Sequence, residues 1–332
     1  MSGLTDLTGG PRRQRLAVID IARGLAILAM VVYHFAWDLA YLQFIVLDLR
    51  AEIGWVIFQK LIVGSFIFLT GISLVLAHGE AIRWRAFWRR FALIVGAAFL
   101  VTVGTLFFSP NAFVYFGVLH AIALFSLMGL AFLRAPLWLV IALGATIIVT
   151  SISVQHPLFG EKIWSWIGLW DEPPPAEDLV PIFPWFGVAL LGIAFARWGR
   201  ASGFFDRLAT IPAGGAAGRG LAKAGRWSLV IYLAHQPILL AILMGIAALT
   251  NPGAAMQARL FTQSCEQSCR QSAGDAAFCT AYCACALDEI EDNDLWPLVN
   301  NPSRTPDEDL RLNELVNQCT AEVVEDRLAP SD

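Results

Sequence analysis

Asp20, Arg23, His34 and Asp38 interrupt an otherwise apolar run from Leu16 to Tyr41. Ionisable groups are expensive inside a bilayer, so they face a bundle interior or a water-filled cavity and mark function. On a helix, at about 100° per residue, Arg23 and His34 fall about 20° apart. Asp20 and Asp38 lie within about 60° of Arg23, and Tyr41 falls in line with it. The result is one polar stripe with an apolar middle from Gly24 to Tyr33. At about 1.5 Å per residue, Arg23 and His34 are roughly 16 Å apart, about half the hydrocarbon thickness. A cation near one surface and an imidazole nearer the other suit transfer across a barrier. An anionic donor docks at the cationic mouth, its reactive end threads the apolar mid-section, and His34 serves as base or relay for an acceptor beyond. Asp38, one turn on, fixes the imidazole tautomer and stabilises the imidazolium. The same residues also admit a purely structural reading, with Asp20–Arg23 as an ion pair at the helix entrance and His34–Asp38 as a hydrogen bond along the helix.

The run that carries this stripe is about 26 residues, long enough to cross a bilayer and too long for a cleaved signal peptide, so it reads as a retained signal-anchor. The 332-residue chain is 57% apolar and 15% charged, with a mean hydropathy of +0.61. Soluble domains carry about 25% charged residues, so the fold class is an all-α polytopic membrane protein with a small appendage. Seven spans are expected, approximately Ile19–Tyr41, Gly54–Ala77, Phe87–Phe108, Phe113–Leu133, Pro136–Val154, Pro181–Trp198 and Ser228–Leu249. Residues 1–15 form an N-terminal segment, 16–250 the bundle and 251–332 a cysteine-rich tail.

Arginine and lysine in the short loops orient these spans. Arg12, Arg13 and Arg15 precede the first span, and Arg83, Arg85, Arg89 and Arg90 lie between the second and third. Arg134 follows the fourth, and Arg197, Arg200, Arg207, Arg219, Lys223 and Arg226 separate the sixth from the seventh. All fall on one side, so the expectation is a bacterial inner-membrane protein with a cytoplasmic N-terminus and a periplasmic C-terminus. The net charge of −4 decides nothing until it is divided in this way.

With that topology, His34, Lys60 and His120 each lie about seven residues inside the outer surface, on one level. Lys60 needs a partner at that depth, with Asp38 a candidate, unless it snorkels outward. His120 either flanks a substrate or makes an interhelical hydrogen bond. His235, beside Gln236 and the helix-bending Pro237, lies about as deep from the inner surface, which puts it on the level of Arg23.

All six cysteines lie between Cys265 and Cys319, in a segment rich in carboxylates. Cys265-x3-Cys269 and Cys279-x3-Cys283 each place two cysteines on one helical face. Two antiparallel helices joined near Gly274 would pair Cys265 with Cys283 and Cys269 with Cys279, leaving Cys285 for Cys319, among the many pairings six cysteines allow. Such staples suit a small unit in an oxidising compartment. Zinc is the alternative there, although the tail holds no histidine, and no metal is expected elsewhere.

Residues 19–39 (IDIARGLAILAMVVYHFAWDL), 65–73 (SFIFLTGIS), 115–124 (YFGVLHAIAL), 183–192 (FPWFGVALLG) and 232–237 (YLAHQP), in this order, resemble bacterial members of the heparan-α-glucosaminide N-acetyltransferase catalytic-domain family. The spacing of Arg23 and His34 also resembles a motif of the related acyltransferase type 3 family. The likeness covers roughly Arg15 to Leu249 and leaves the cysteine tail unmatched. It implies an acetyl group taken from cytosolic acetyl-CoA and delivered to a sugar across the membrane, with His34 as the catalytic histidine and Arg23 on the donor side. The lysosomal enzyme of the family is thought to use a histidine in the loop after its first span. Residues 40–52 hold none here, and the role passes to His34.

The expectation is therefore an acetyl-CoA-dependent membrane acyltransferase acting on an extracytoplasmic saccharide amine or hydroxyl. His34, Asp38, Lys60 and His120 serve the transfer, and Arg23, Asp20, His235 and Gln236 line the donor path. Its partners are the bilayer, the donor and the acceptor, with no nucleic acid; a homodimer is left open. A transporter using the same stripe as a proton path, and a membrane anchor displaying the tail, are the alternatives from other classes.

Overall fold

The computed structural model describes residues 16–273, 275–301 and 303–328. Arg12, Arg13, Arg15 and Gly274, which carried expectations above, lie outside the described residues. The chain divides into two compact units. The first takes the chain up to Trp37 together with Asp48–Ala241; the second takes Asp38–Leu47 and the chain from Ile242 onward.

Among the described residues the fold is helical, with one isolated bridge between Phe116 and Leu179. Five helices are long and apolar enough to cross a membrane: α1 (Ala17–Tyr41), α2 (Ile53–His78), α3 (Trp84–Phe108), α6 (Ile182–Ala201) and α9 (Ser228–Thr250). Between them stand the shorter apolar helices α4 (Val118–Gly129, extended by a 3-10 turn to Phe132) and α5 (Leu137–Ser153), and two short helices, α7 (Phe204–Ala209) and the more polar α8 (Ala216–Arg226). Each of the seven expected spans thus contains an apolar helix, but α4 and α5 fall short of membrane-crossing length by themselves.

The fourth span differs from expectation for a local reason. Residues 113–117 are extended rather than helical, because their backbone groups find partners elsewhere. Thr102 Oγ1 donates to Val114 O (2.7 Å), the Val114 N–H donates to Thr105 Oγ1 (2.9 Å), and Val180 N–H donates to Phe116 O (3.0 Å). The loop from 154 to 181 supplies the last of these and folds back on the bundle through buried Ser165, which shares a hydrogen bond with Tyr115 Oη (2.5 Å).

The core of the first unit forms where α6 crosses α2 and α5. Ile67, Val75, Phe125, Val140, Leu190 and Ile193 are almost wholly buried there. In a bilayer no hydrophobic drive holds helix to helix, so close packing of small residues must. A Cβ at Gly71 would run into the Ala189 carbonyl, one at Gly192 into the Phe68 carbonyl, and one at Gly187 would come within 2.6 Å of the Gly144 carbonyl. At α8, a Cβ on Gly225 would strike the Asp20 carbonyl, and one on Gly24 the Leu221 carbonyl, so α8 lies backbone to backbone against the start of α1. By contrast, Leu93, Phe99, Leu100 and Ile238 are exposed on α3 and α9, as lipid-facing side chains must be.

In the second unit, α10 (Pro252–Ala273) and α11 (Ala276–Asp292) form a hairpin stapled by Cys265–Cys283 and Cys269–Cys279. Cys285–Cys319 ties in α13 (Pro306–Leu328), past the single-turn α12 (Trp296–Val299). These are the three expected pairs. Asp275 caps α11 by accepting from Ala277 N–H (3.0 Å), and Ala286, Ile290 and Leu315 pack with Phe261 and Trp296 into a small core.

The glycine crossings make a testable statement. Gly71→Val is expected to destabilise the full chain by about 1–3 kcal/mol, the range for overpacking. Gly96→Ala, whose Cβ meets open space, should hold or raise the thermal midpoint. Equal midpoints for the two purified variants in detergent would show that the α2–α6 approach carries no such constraint.

Candidate functional site

Arg23 is held from two sides. Its guanidinium pairs with Asp20, one turn earlier on α1, at 3.4 Å, and donates to Ser73 Oγ of α2. Ser73 in turn donates to the Leu69 carbonyl of its own helix, so a small hydroxyl from a second element fixes the cation. The pair thus combines the structural reading of the sequence with a position on a cavity, because both Asp20 and Arg23 line a space of about 1200 Å³ within the first unit.

The wall of this cavity changes character along its length. Arg83, Arg200 and Arg226 join Arg23 and Arg90 as cations, against the carboxylates Asp20, Glu80 and Asp206. Glu80 is engaged by Arg200, while Arg83 turns its Nε to the Ala77 carbonyl (3.3 Å). Arg90 makes no hydrogen bond or ion pair among the described residues, and its charge and that of Arg23 are close enough to act on each other. Five guanidinium groups facing one space, against three carboxylates, leave positive potential for an anion. Beyond them Ile27, Phe66, Ile94, Val118, Leu119 and Leu229 give an apolar lining, and Tyr232 of α9 reaches the same space.

Tyr232 is the joint of the site. Its hydroxyl bonds to Asp178, a residue of the 154–181 loop whose Oδ2 also accepts the Val118 N–H at the start of α4 (2.7 Å). Burial pushes the Asp178 carboxyl up to about 6, against the opposing pull of the Val118 and Tyr232 hydrogen bonds. The Tyr232 carbonyl is 2.7 Å from His235 Nδ1, one turn on. His235 in turn packs against His34, with ring centroids 5.0 Å apart and planes at 62°. Tyr33 stands edge-on to His34 and packs in turn on Trp55 and Phe58. His34 itself makes no hydrogen bond among the described residues.

His235 therefore stands on the level of His34, not on that of Arg23 as expected. The expectation counted depth from Ser228, taking that residue as the edge of the membrane. In fact α8 already lies beside Asp20 and Gly24, and α9 continues from it alongside α1. Ten residues beyond Gly225 is His235; ten beyond Gly24 is His34. The two imidazoles meet because the two backbones are in register.

The other expected residues have different surroundings. His120 closes the start of its own helix: Nδ1 accepts the Gly117 N–H (3.2 Å), and Nε2 is 3.3 Å from Thr102 Oγ1. Lys60 is exposed on α2 and makes no hydrogen bond or ion pair among the described residues. Asp38 is completely buried, and Gln236 follows His235 on α9. Arg90, Ser73, Tyr232 and Asp178 were missed as site residues. Arg90 had been counted among loop cations, although α3 starts at Trp84 and carries it inward. The signal for Ser73 and Tyr232 was present, since both fall in the segments 65–73 and 232–237 singled out above.

Residues 15–237 match the family model described as heparan-alpha-glucosaminide N-acetyltransferase, catalytic. Neither a curated protein nor a solved structure matches the chain. The match contains every residue of the cavity and both imidazoles, and it ends before the cysteine-stapled helices begin.

Asp178 sets a pH dependence with a defined sign. Its carboxyl holds a proton more readily in the folded chain than in the unfolded one, so its stabilising contribution is full below the ordinary aspartate range and is lost as pH rises through about 6. The loss amounts to at most about 3 kcal/mol. Asp178→Asn should flatten the fall in thermal midpoint across this window. An unchanged slope in unfolding of the purified chain would place the titration elsewhere.

Proposed function

The chain belongs to the heparan-alpha-glucosaminide N-acetyltransferase catalytic-domain family, and on that premise we propose that it transfers an acetyl group from cytosolic acetyl-CoA to a saccharide across the bacterial inner membrane. Membership makes it an acetyltransferase-type membrane protein; donor, acceptor and orientation are our reading. The observation that carries this reading is the cavity, cationic at Arg23, Arg90, Arg83, Arg200 and Arg226, apolar further in, and linked through Tyr232 to the His235–His34 pair.

The residues present fit such a donor. A coenzyme A thioester is polyanionic at one end and uncharged at the other, which suits a lining that passes from guanidinium to hydrocarbon. Its chemistry is to offer an activated acyl carbon. Arg90 and Arg23 would hold its anionic groups by charge-assisted hydrogen bonds, and Asp20 with Ser73 would keep Arg23 aimed at them. His34 would take the proton of the attacking amine or hydroxyl, or relay the acyl group, with Asp38 stabilising the imidazolium. Lys60, exposed on α2, and His120, held by the Gly117 N–H and Thr102 Oγ1, would flank the acceptor. The basic loops would place the cavity mouth and the N-terminus in the cytoplasm and the stapled tail in the periplasm.

Purified chain in vesicles with labelled acetyl-CoA tests the proposal. His34→Ala that folds is expected to lose transfer by on the order of 100-fold or more. Arg90→Ala should raise the KM for acetyl-CoA by roughly tenfold, the worth of one charge-assisted hydrogen bond. Full transfer by His34→Ala would remove the assignment. Release of neither CoA nor labelled acetyl by the wild-type chain would favour a carrier that uses the same stripe.

A further inference from the structure

His235 combines two features that no role in donor binding requires. The Tyr232 oxygen beside Nδ1 is a carbonyl, which only accepts, so Nδ1 must carry the hydrogen of a neutral ring. That leaves a lone pair on Nε2, and Nε2 is buried with no hydrogen-bond partner. A buried polar atom left unsatisfied costs about 1–3 kcal/mol, and a native site that retains one calls for an explanation. The ring also stands at a particular place. Tyr232, one turn before it, lines the cavity, and the His34 ring packs against it at 5.0 Å between centroids. Tyr232 thus touches both the cavity and His235, and His235 touches His34.

Resting on the acyl-transfer reading above, we propose that His235 is a second catalytic imidazole, whose Nε2 carries the proton between His34 and the sulfur of the departing thiol. The acceptor's lone pair forms the new bond to the acyl carbon while the carbon–sulfur bond breaks and its electron pair leaves on sulfur. The acceptor's proton passes to His34, from His34 to His235 Nε2, and from there to sulfur. Both rings return to their starting state, and no oxidant or further reactant enters. The Tyr232 carbonyl stabilises His235 while it is doubly protonated, because the Nδ1–H bond strengthens as the ring becomes a cation. Asp178 is a positioning residue here: by holding the Tyr232 side chain it fixes the turn that presents this carbonyl.

The tautomer is tested without turnover. Ring-¹⁵N spectra of the full chain in nanodiscs should show His235 with hydrogen on Nδ1 and a bare Nε2 near neutral pH. The signals are assigned by His235→Gln or, should that chain not fold, by elimination across variants of the other four histidines. A protonated Nε2 overturns the proposal. Turnover is then followed with labelled acetyl-CoA, using water and an oligosaccharide ending in α-glucosaminide as acceptors. His235→Gln should lower kcat by on the order of 100-fold while leaving the KM for acetyl-CoA within about twofold, and adding His34→Ala should lower it little further, because residues acting as a unit are not additive. A kcat within about threefold of wild type, or a loss confined to KM, overturns the proposal and leaves acyl transfer intact. Absence of any turnover by the wild-type chain overturns both.

Discussion

A guanidinium inside an apolar bundle must be held by something, and the site follows from how Arg23 is held. Asp20 neutralises it from the same helix, and Ser73 meets it from α2. Neither partner encloses it, so the cation still faces the cavity that Arg90 enters from α3. Were Arg23 fully enclosed by carboxylates, burial would favour a neutral, sealed interior and leave no potential for an anion. With five guanidinium groups against three carboxylates around the space, the protein keeps positive potential where bilayer hydrocarbon would forbid it.

The second constraint is the closeness of the backbones. Glycines at the α2–α6, α5–α6 and α1–α8 crossings let main chains approach to distances that any side chain would prevent. This matters beyond stability, because close packing also fixes register. α8 cannot slide along α1 without driving Gly225 and Gly24 out of their places, and α9 inherits its height from α8. The meeting of His34 and His235 is therefore a consequence of glycines about ten residues away. In the same way Asp178 reaches from a loop to Tyr232 and the start of α4, so that three segments agree on the position of one carbonyl.

The cysteine-stapled helices use a different physics. Their core is small, with Ala286, Ile290 and Leu315 at its centre, and covalent links between α10, α11 and α13 compensate for the area it does not bury. The family match stops before them.

The sequence by itself determined what repeats along one chain direction. Long apolar runs announce the helices, angular spacing on α1 sets its polar stripe, and the intervals among Cys265, Cys269, Cys279 and Cys283 favour one pairing across a hairpin among the many that six cysteines allow. Each depends on local geometry that any helix shares. Tertiary structure alone decided which helix stands beside which and at what height. Depth counted from the ends of apolar runs misplaced His235, because a short polar helix had already entered the packing before its run began. It also left Arg90 in a loop, whereas α3 carries it into the cavity wall. Such errors share one cause: the apparent edge of a hydrophobic segment records composition, whereas the level of a side chain is set by the neighbouring backbone it packs against.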